Sequence, residues 1–280
     1  MTTTVWVNGE LAADGRGSVA ALDHGVTVGD GVFETCKVVD GVPFALTRHL
    51  RRLHRSAAVL QLDAPGDGVV RDAVEHVLAA AGPIPLGRLR ITVTGGDGPL
   101  GSDRGTAEPT LVVALAPSRP WPDRIEAVTV PWTRNERSAI AGAKTTSYAE
   151  NVVALRAAHA RGAHEALMAN TAGVLCEGTA SNVVVALDGV LVTPPLASGC
   201  LAGITRELFL EWAAKEGLPV GEGDVPMSAL SQAQDVLLTS STRDVQPVAV
   251  LDGRELAGTD LGRAAHELFA RRAAEDVDPI

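Results

Sequence analysis

Four hairpin signals punctuate the chain: the Asx-Gly pairs Asn8-Gly9, Asp40-Gly41, Asp188-Gly189 and Asp252-Gly253, each set between β-prone residues. Such pairs are the strongest short-range hairpin signal, because both central residues of a type I′ turn need positive φ. Each pair therefore commits its flanks to antiparallel strands, most clearly in VVVALDGVLVT, where Val-rich arms flank Asp188-Gly189. Strands are also predicted near 89–94, 110–115, 126–130, 166–170 and 236–240. Helices interrupt them. Thr47 is placed to cap a helix in which Leu50, Leu53, Ala57 and Leu60 form one apolar stripe. Segment 68–81 repeats that pattern. A third helix is predicted from about Tyr148 to Arg161 with Gly162 as its stop. Others run from Ile204 to Gly217 and over 259–274. Hairpins and helices mix without strict βαβ alternation, which predicts an α+β fold with substantial antiparallel sheet. The segment APSRPWPDR, 116–124, holds three prolines and little periodicity. It predicts two domains, 1–117 and 125–280, joined by a linker over 118–124.

Composition narrows the class. Of 280 residues, 46% are hydrophobic and 21% charged, the balance of a globular chain. A net charge of −10 disfavours nucleic acid and anionic membranes as partners. No apolar run approaches the roughly 20 residues that span a bilayer. The opening MTTTVWVNGE has neither a basic start nor an apolar core, so no signal peptide is expected. Cys36, Cys176 and Cys200 are scattered and lack zinc spacing, so a reducing cytoplasm and no bound metal are expected.

The basic residues carry the first chemical hint. Only Lys37, Lys144 and Lys215 are lysines; the other basic residues are arginines. An amine that must lose its proton and attack a carbonyl cannot be a guanidinium, which stays charged. Lys144 stands just before the helix of AGAKTTSYAENVVALRAAHARG, 141–162, although a lone lysine there also reads as a surface residue. In GVLCEGTASNVVV, 173–185, Glu177 lies between two strand-like arms, ahead of small polar residues and Asn182. In SGCLAGITRELFLEW, Gly203 permits close backbone approach, and Ile204 and Thr205 open a helix whose first N–H groups suit an anion. LLTSSTRDVQP, 237–247, ends a strand in four hydroxyl residues, among them Ser240 and Ser241. Each segment also has a plain structural reading, as a turn carboxylate, an ordinary helix start or a polar turn.

Together these segments resemble the class IV aminotransferases, the fold-type IV pyridoxal-phosphate enzymes. Lys144, CEGTASN, LAGITRE and TSSTRDVQPV occur in that family's order and approximate spacing, and HGVTVGDGVFETCKVVDGVPFALTRHLRRLHRSA looks like its small-domain opening. The resemblance runs from about residue 5 to 253. It implies that Lys144 forms a Schiff base with pyridoxal 5′-phosphate and that Glu177 sits at the ring nitrogen. Arg48, Ile204, Thr205, Ser240 and Ser241 would meet the phosphate, with Gly203 admitting its approach and Leu201 against the ring. Arg51 and Arg52 read as solvated helix residues. A carboxylate at the ring nitrogen keeps it charged, which makes the ring an electron sink. Lys144, once displaced by a substrate amine, would move the α-proton. Tyr148, four residues on, would orient Lys144 or contact the cofactor oxygen; a core tyrosine fits equally.

The same resemblance implies a homodimer acting on a small-molecule amino donor and a keto acid. Phe33, Thr35 and Lys37 alternate along one strand, so they share a face. They fall where D-amino acid transaminases place a Tyr, Val and Lys trio, and the branched-chain pattern is not met there. Lys37, Arg88 and Arg90 are the preferred candidates for a substrate carboxylate, ahead of Arg104 in the glycine-rich loop 94–105. The leading expectation is a transaminase for D-amino acids or R-amines. The segment KTTSYAEN also resembles 4-amino-4-deoxychorismate lyases, which release pyruvate and 4-aminobenzoate. A non-catalytic pyridoxal-phosphate-binding protein is the alternative of another class.

Overall fold

The computed structural model describes residues 3–12 and 15–280. They divide into two compact units, one of residues 3–12, 15–120, 143–147 and 277–280, the other of residues 121–142 and 148–276.

In the first unit the chain runs β1 (Thr4–Val7), β2 (Glu10–Ala12), α1 (His24–Thr27), β3 (Gly31–Val39), β4 (Val42–Pro43), α2 (Leu46–Val59), α3 (Asp67–Ala81), β5 (Leu86–Thr94) and β6 (Thr110–Pro117). The strands form one antiparallel sheet in the order β2-β1-β6-β5-β3-β4. The strand period of two divides each strand between two faces. Val32, Cys36 and Val38 of β3, with Leu89, Ile91 and Val93 of β5, face α2 and α3 and bury completely. The alternate residues form the other face, where Phe33 is buried and Thr35, Lys37, Arg88 and Arg90 are half-buried or exposed.

Two readings of α2 need correction. Its N-cap is Ala45, in the left-handed region at φ 55°, and Thr47 lies inside the first turn. Thr47 is recruited by Asp278, which accepts its N–H at 2.9 Å and its hydroxyl at 2.6 Å. A first-turn N–H has no helical partner, so a carboxylate from the 277–280 segment takes over the cap. Nor is Arg52 solvated. It is 4% exposed and donates Nε and Nη2 to the two oxygens of Glu34, each at 2.7 Å. His49 Nδ1 lies 2.6 Å from the same carboxylate. Arg51 is exposed.

In the second unit follow β7 (Ile125–Arg134), α4 (Ala149–Ala160), β8 (Glu165–Asn170), β9 (Leu175–Gly178), β10 (Asn182–Leu187), β11 (Val190–Thr193), α5 (Ile204–Glu216), β12 (Val220–Glu222), β13 (Asp235–Ser240), β14 (Asp244–Leu251), β15 (Arg254–Glu255) and α6 (Asp260–Glu275). A nine-stranded mixed sheet has the order β12-β11-β10-β13-β14-β7-β8-β9, with β15 on β14. The pairs β11/β12, β14/β7 and β7/β8 are parallel. Val183, Val185, Val236 and Leu238 bury fully on one face of the β10/β13 ladder, and α5 and α6 pack together through Trp212 and Phe269, ring centroids 5.0 Å apart.

The four pairs set between β-prone residues all close hairpins with positive φ at both residues; Asp188 and Gly189 stand at 48° and 80°. The fold is α+β as the hairpin count predicts.

Candidate active site

In the first unit, residues 143–147 run alongside the start of β3, joined to it through a single β-bridge. Phe33 N–H donates to Lys144 O at 2.9 Å, Thr146 N–H to Gly31 O at 2.8 Å, and Val32 bridges to Thr145. Ser56 Oγ, on α2, accepts the Lys144 N–H at 3.0 Å. Both backbone groups of Lys144 are thus held, which fixes the root of its side chain. Its Nζ lies 4.3 Å from the ring centroid of Phe33, and the guanidinium of Arg90 lies 3.4 Å from that same centroid. A cation against an aromatic face is held electrostatically by the ring.

The register extends this arrangement. Thr35 stands opposite Arg90 and Lys37 opposite Arg88, so the five predicted pocket residues Phe33, Thr35, Lys37, Arg88 and Arg90 share one sheet face. Arg48 has a different setting: it is buried, and its Nε donates to Pro279 O at 3.0 Å. Arg104 bonds Asp30 through Nε and Nη2, and the carbonyls of Leu60 and Gln61, so its guanidinium fastens the 94–105 loop.

In the second unit Glu177 lies within β9 rather than in a turn between strands. One carboxylate oxygen is 3.1 Å from Arg134 Nε, and the other accepts Leu201 N–H at 2.9 Å. Asn182 Nδ2 donates to Leu201 O at 2.8 Å, so this one residue is gripped at both backbone groups. The fit is close: a Cβ added at Gly203 would stand 1.9 Å from Asn182 Oδ1. Gly203, which has no side chain to offer, then caps α5 ahead of the first turn that Ile204 and Thr205 begin. Asn182 pairs in register with Thr239 on β13, whose strand ends at Ser240; Ser241 follows in the tight turn to β14. Tyr148 is the half-buried residue that precedes α4.

The family model for "Amino-transferase class IV" matches residues 31–251, a stretch that contains both sets of groups. The chain belongs to the class IV aminotransferases. A bifunctional aminodeoxychorismate lyase / D-amino acid transaminase of Mycobacterium tuberculosis (strain ATCC 25618 / H37Rv) is 31% identical over 300 residues, covering 97% of this chain and 99% of that protein. A hypothetical aminotransferase from Mycobacterium tuberculosis, solved in a pyridoxal-phosphate-bound form, superposes with a TM-score of 0.85 at 31% identity, covering 99% of this chain and 100% of the other. The branched-chain aminotransferase of the thermophilic archaeon Thermoproteus uzoniensis, solved with norvaline, gives a TM-score of 0.90 at 28% identity over 96% of this chain and 93% of the other.

This class IV aminotransferase is therefore a pyridoxal-phosphate-dependent enzyme of fold type IV. Each unit by itself carries groups that suit that cofactor. A half-buried lysine with a fixed backbone is present in one unit. The other holds a carboxylate and a helix start whose cap is a glycine. The buried hydroxyl of Thr239 there has no hydrogen-bond partner among the described residues. Three relevant residues escape a reading of the sequence. Arg134 ends a strand and gives no local sign that it pairs with Glu177. Thr239 hides in a hydroxyl run. Arg52 was concealed by its place among surface arginines.

Proposed function

We propose that the enzyme moves an amino group between a D-amino acid, or an R-amine, and a 2-keto acid. The observation that carries this reading is the shared contact of Lys144 and Arg90 with the Phe33 ring. An amine that would take the proton from the substrate's α-carbon and a guanidinium suited to its carboxylate stand on one aromatic platform. Lys37 and Arg88 continue the same face about two residues, roughly 7 Å, further along the strands. A second carboxylate at that distance fits a dicarboxylic keto-acid acceptor.

When bound, pyridoxal phosphate supplies an aldehyde that condenses with amines and a ring that accepts the electron pair left at the substrate's α-carbon. Lys144 would release that aldehyde to the incoming amine, take the α-proton and return it one carbon away. Glu177 would hold the proton at the ring nitrogen, with Arg134 orienting its carboxylate. For the phosphate we favour Arg52 over Arg48. The aldehyde and phosphate arms stand on neighbouring ring carbons. Ser56, which holds Lys144, is one helical turn from Arg52, about 5.4 Å along the axis, and two from Arg48. The amides of Ile204 and Thr205 and the hydroxyls of Ser240 and Ser241 complete the phosphate set.

A second reading is supported by the same cationic face. Aminodeoxychorismate carries two carboxylates, and its cleavage shares the first steps at Lys144. The assays separate the two. D-alanine with 2-oxoglutarate should yield pyruvate under the leading reading. Pyruvate from aminodeoxychorismate, with no keto acid present, would replace it with the lyase.

Glu177→Gln should keep bound cofactor and lose about 10²–10³-fold in turnover, the scale for one preorganised electrostatic partner. Cofactor content by absorbance and single-turnover rates measure the two separately. Unchanged turnover would remove Glu177 from its role at the ring nitrogen.

A further inference from the structure

We infer that Glu165 is a positioning residue that sets the turn after Glu177 against the turn after Ser240. It would thereby fix the spacing between the groups proposed for the cofactor's ring nitrogen and those proposed for its phosphate. The inference rests on the assignments of Glu177, Ser240 and Ser241 made above.

Glu165 opens β8 and is 0% exposed. Its two oxygens take up more donors than a backbone anchor needs. Oε1 accepts the N–H of Ala166 at 3.1 Å, the N–H of Thr179 at 2.9 Å, and the Thr179 hydroxyl. Oε2 accepts the Ser181 hydroxyl at 3.0 Å and lies 3.5 Å from Nη2 of Arg243. Thr179 and Ser181 belong to the turn between Glu177 and Asn182. Arg243 belongs to the turn that carries Ser241, and its guanidinium rests 4.0 Å over Trp121. The first turn is gripped from its other side as well: Asn151 Nδ2 donates to Thr179 O at 2.5 Å, while Asn151 Oδ1 accepts from Arg134, the partner of Glu177.

Only a carboxylate satisfies this set. A glutamine offers one acceptor oxygen, and its amide would set a donor against the Arg243 guanidinium, which can only donate. The groups left unsatisfied are buried, where each costs full desolvation. Glu165 touches none of the residues proposed to contact the cofactor. It acts through the two turns that carry them.

The test is equilibrium titration of the apoenzyme with pyridoxal phosphate and with pyridoxal, which lacks the phosphate. Wild type, Glu165→Gln, and Ser241→Ala in each background would be compared. Glu165→Gln should weaken pyridoxal phosphate by about 10–100-fold and pyridoxal much less, so that the preference for the phosphate narrows. Ser241→Ala should then cost little more in the Gln background, the mark of a coupled pair. Equal weakening of both ligands, or full additivity with Ser241→Ala, would overturn the inference, because a merely structural role predicts both. If Glu165→Gln does not fold, Arg243→Gln and Thr179→Val remove one arm each. A narrowed preference in either supports the role, and an unchanged preference in both overturns it. A wild type that binds both ligands alike refutes the phosphate assignments and this inference together. A wild type that prefers the phosphate, beside a Gln variant with the same preference, refutes the inference alone.

Discussion

Lys144→Ala should give a folded chain from which borohydride recovers no pyridoxyl-lysine and in which transamination falls by at least about 10²–10⁴-fold, the range for losing a positioned general base. The fold should survive because backbone atoms hold this segment. The bonds from Ser56, Phe33 and Gly31 all remain when the side chain is truncated. Lys144→Arg should be as inactive as Lys144→Ala. A guanidinium keeps its charge and cannot carry the α-proton, so the two variants together distinguish chemistry from lost packing. The chain's only other lysines are Lys37 and Lys215, which leaves few places for a misplaced label. Mass spectrometry of the reduced wild type checks this directly. A pyridoxyl group on either of those two residues would refute the assignment.

Glu34→Gln should lower stability by about 3–5 kcal/mol, the cost of removing one partner from a buried ion pair. Burial alone would push the Glu34 carboxyl up, but Arg52 and His49 outweigh it and hold it well below the usual carboxylate range. His49 is shifted down as well, first by its burial, against the opposing pull of Glu34. Both groups bind protons less readily folded than unfolded, so both give stability that is lost as the pH falls. For His49 the loss begins below its unfolded value near 6.5, and for Glu34 below about 4.3. Urea midpoints measured between pH 7 and pH 3 should therefore fall steeply in the wild type and more gently in Glu34→Gln. Parallel slopes would show that this triad is not the acid-sensitive element.

Local chemistry was legible in the sequence and long-range pairing was not. The four hairpins could be placed because an Asx-Gly pair between β-prone flanks determines such a turn, and the ends of α4 and α5 because Gly162 and Gly217 stop them. Lys144 and Glu177 stood out through their motifs. Arg52 did not, because a charged residue on a helix reads as solvated until its partner is known, and Glu34 sits on a strand. Thr47 reads as a cap for the same reason, since Asp278 comes from the far end of the sequence. Glu165 gave no sign at all: in EALMAN it reads as an ordinary strand residue, and its donors arrive from two distant turns.

The short stretch carrying Lys144 also has a consequence for dissection of the molecule. It supplies the outer hydrogen bonds of residues 31–33, a part of β3 that β4 does not reach. A fragment ending near residue 120 would bare that rim, and bare rims recruit whatever extended peptide is nearby. Such a fragment would tend to self-associate, and a synthetic peptide spanning the missing stretch would be the natural ligand to complement it in trans.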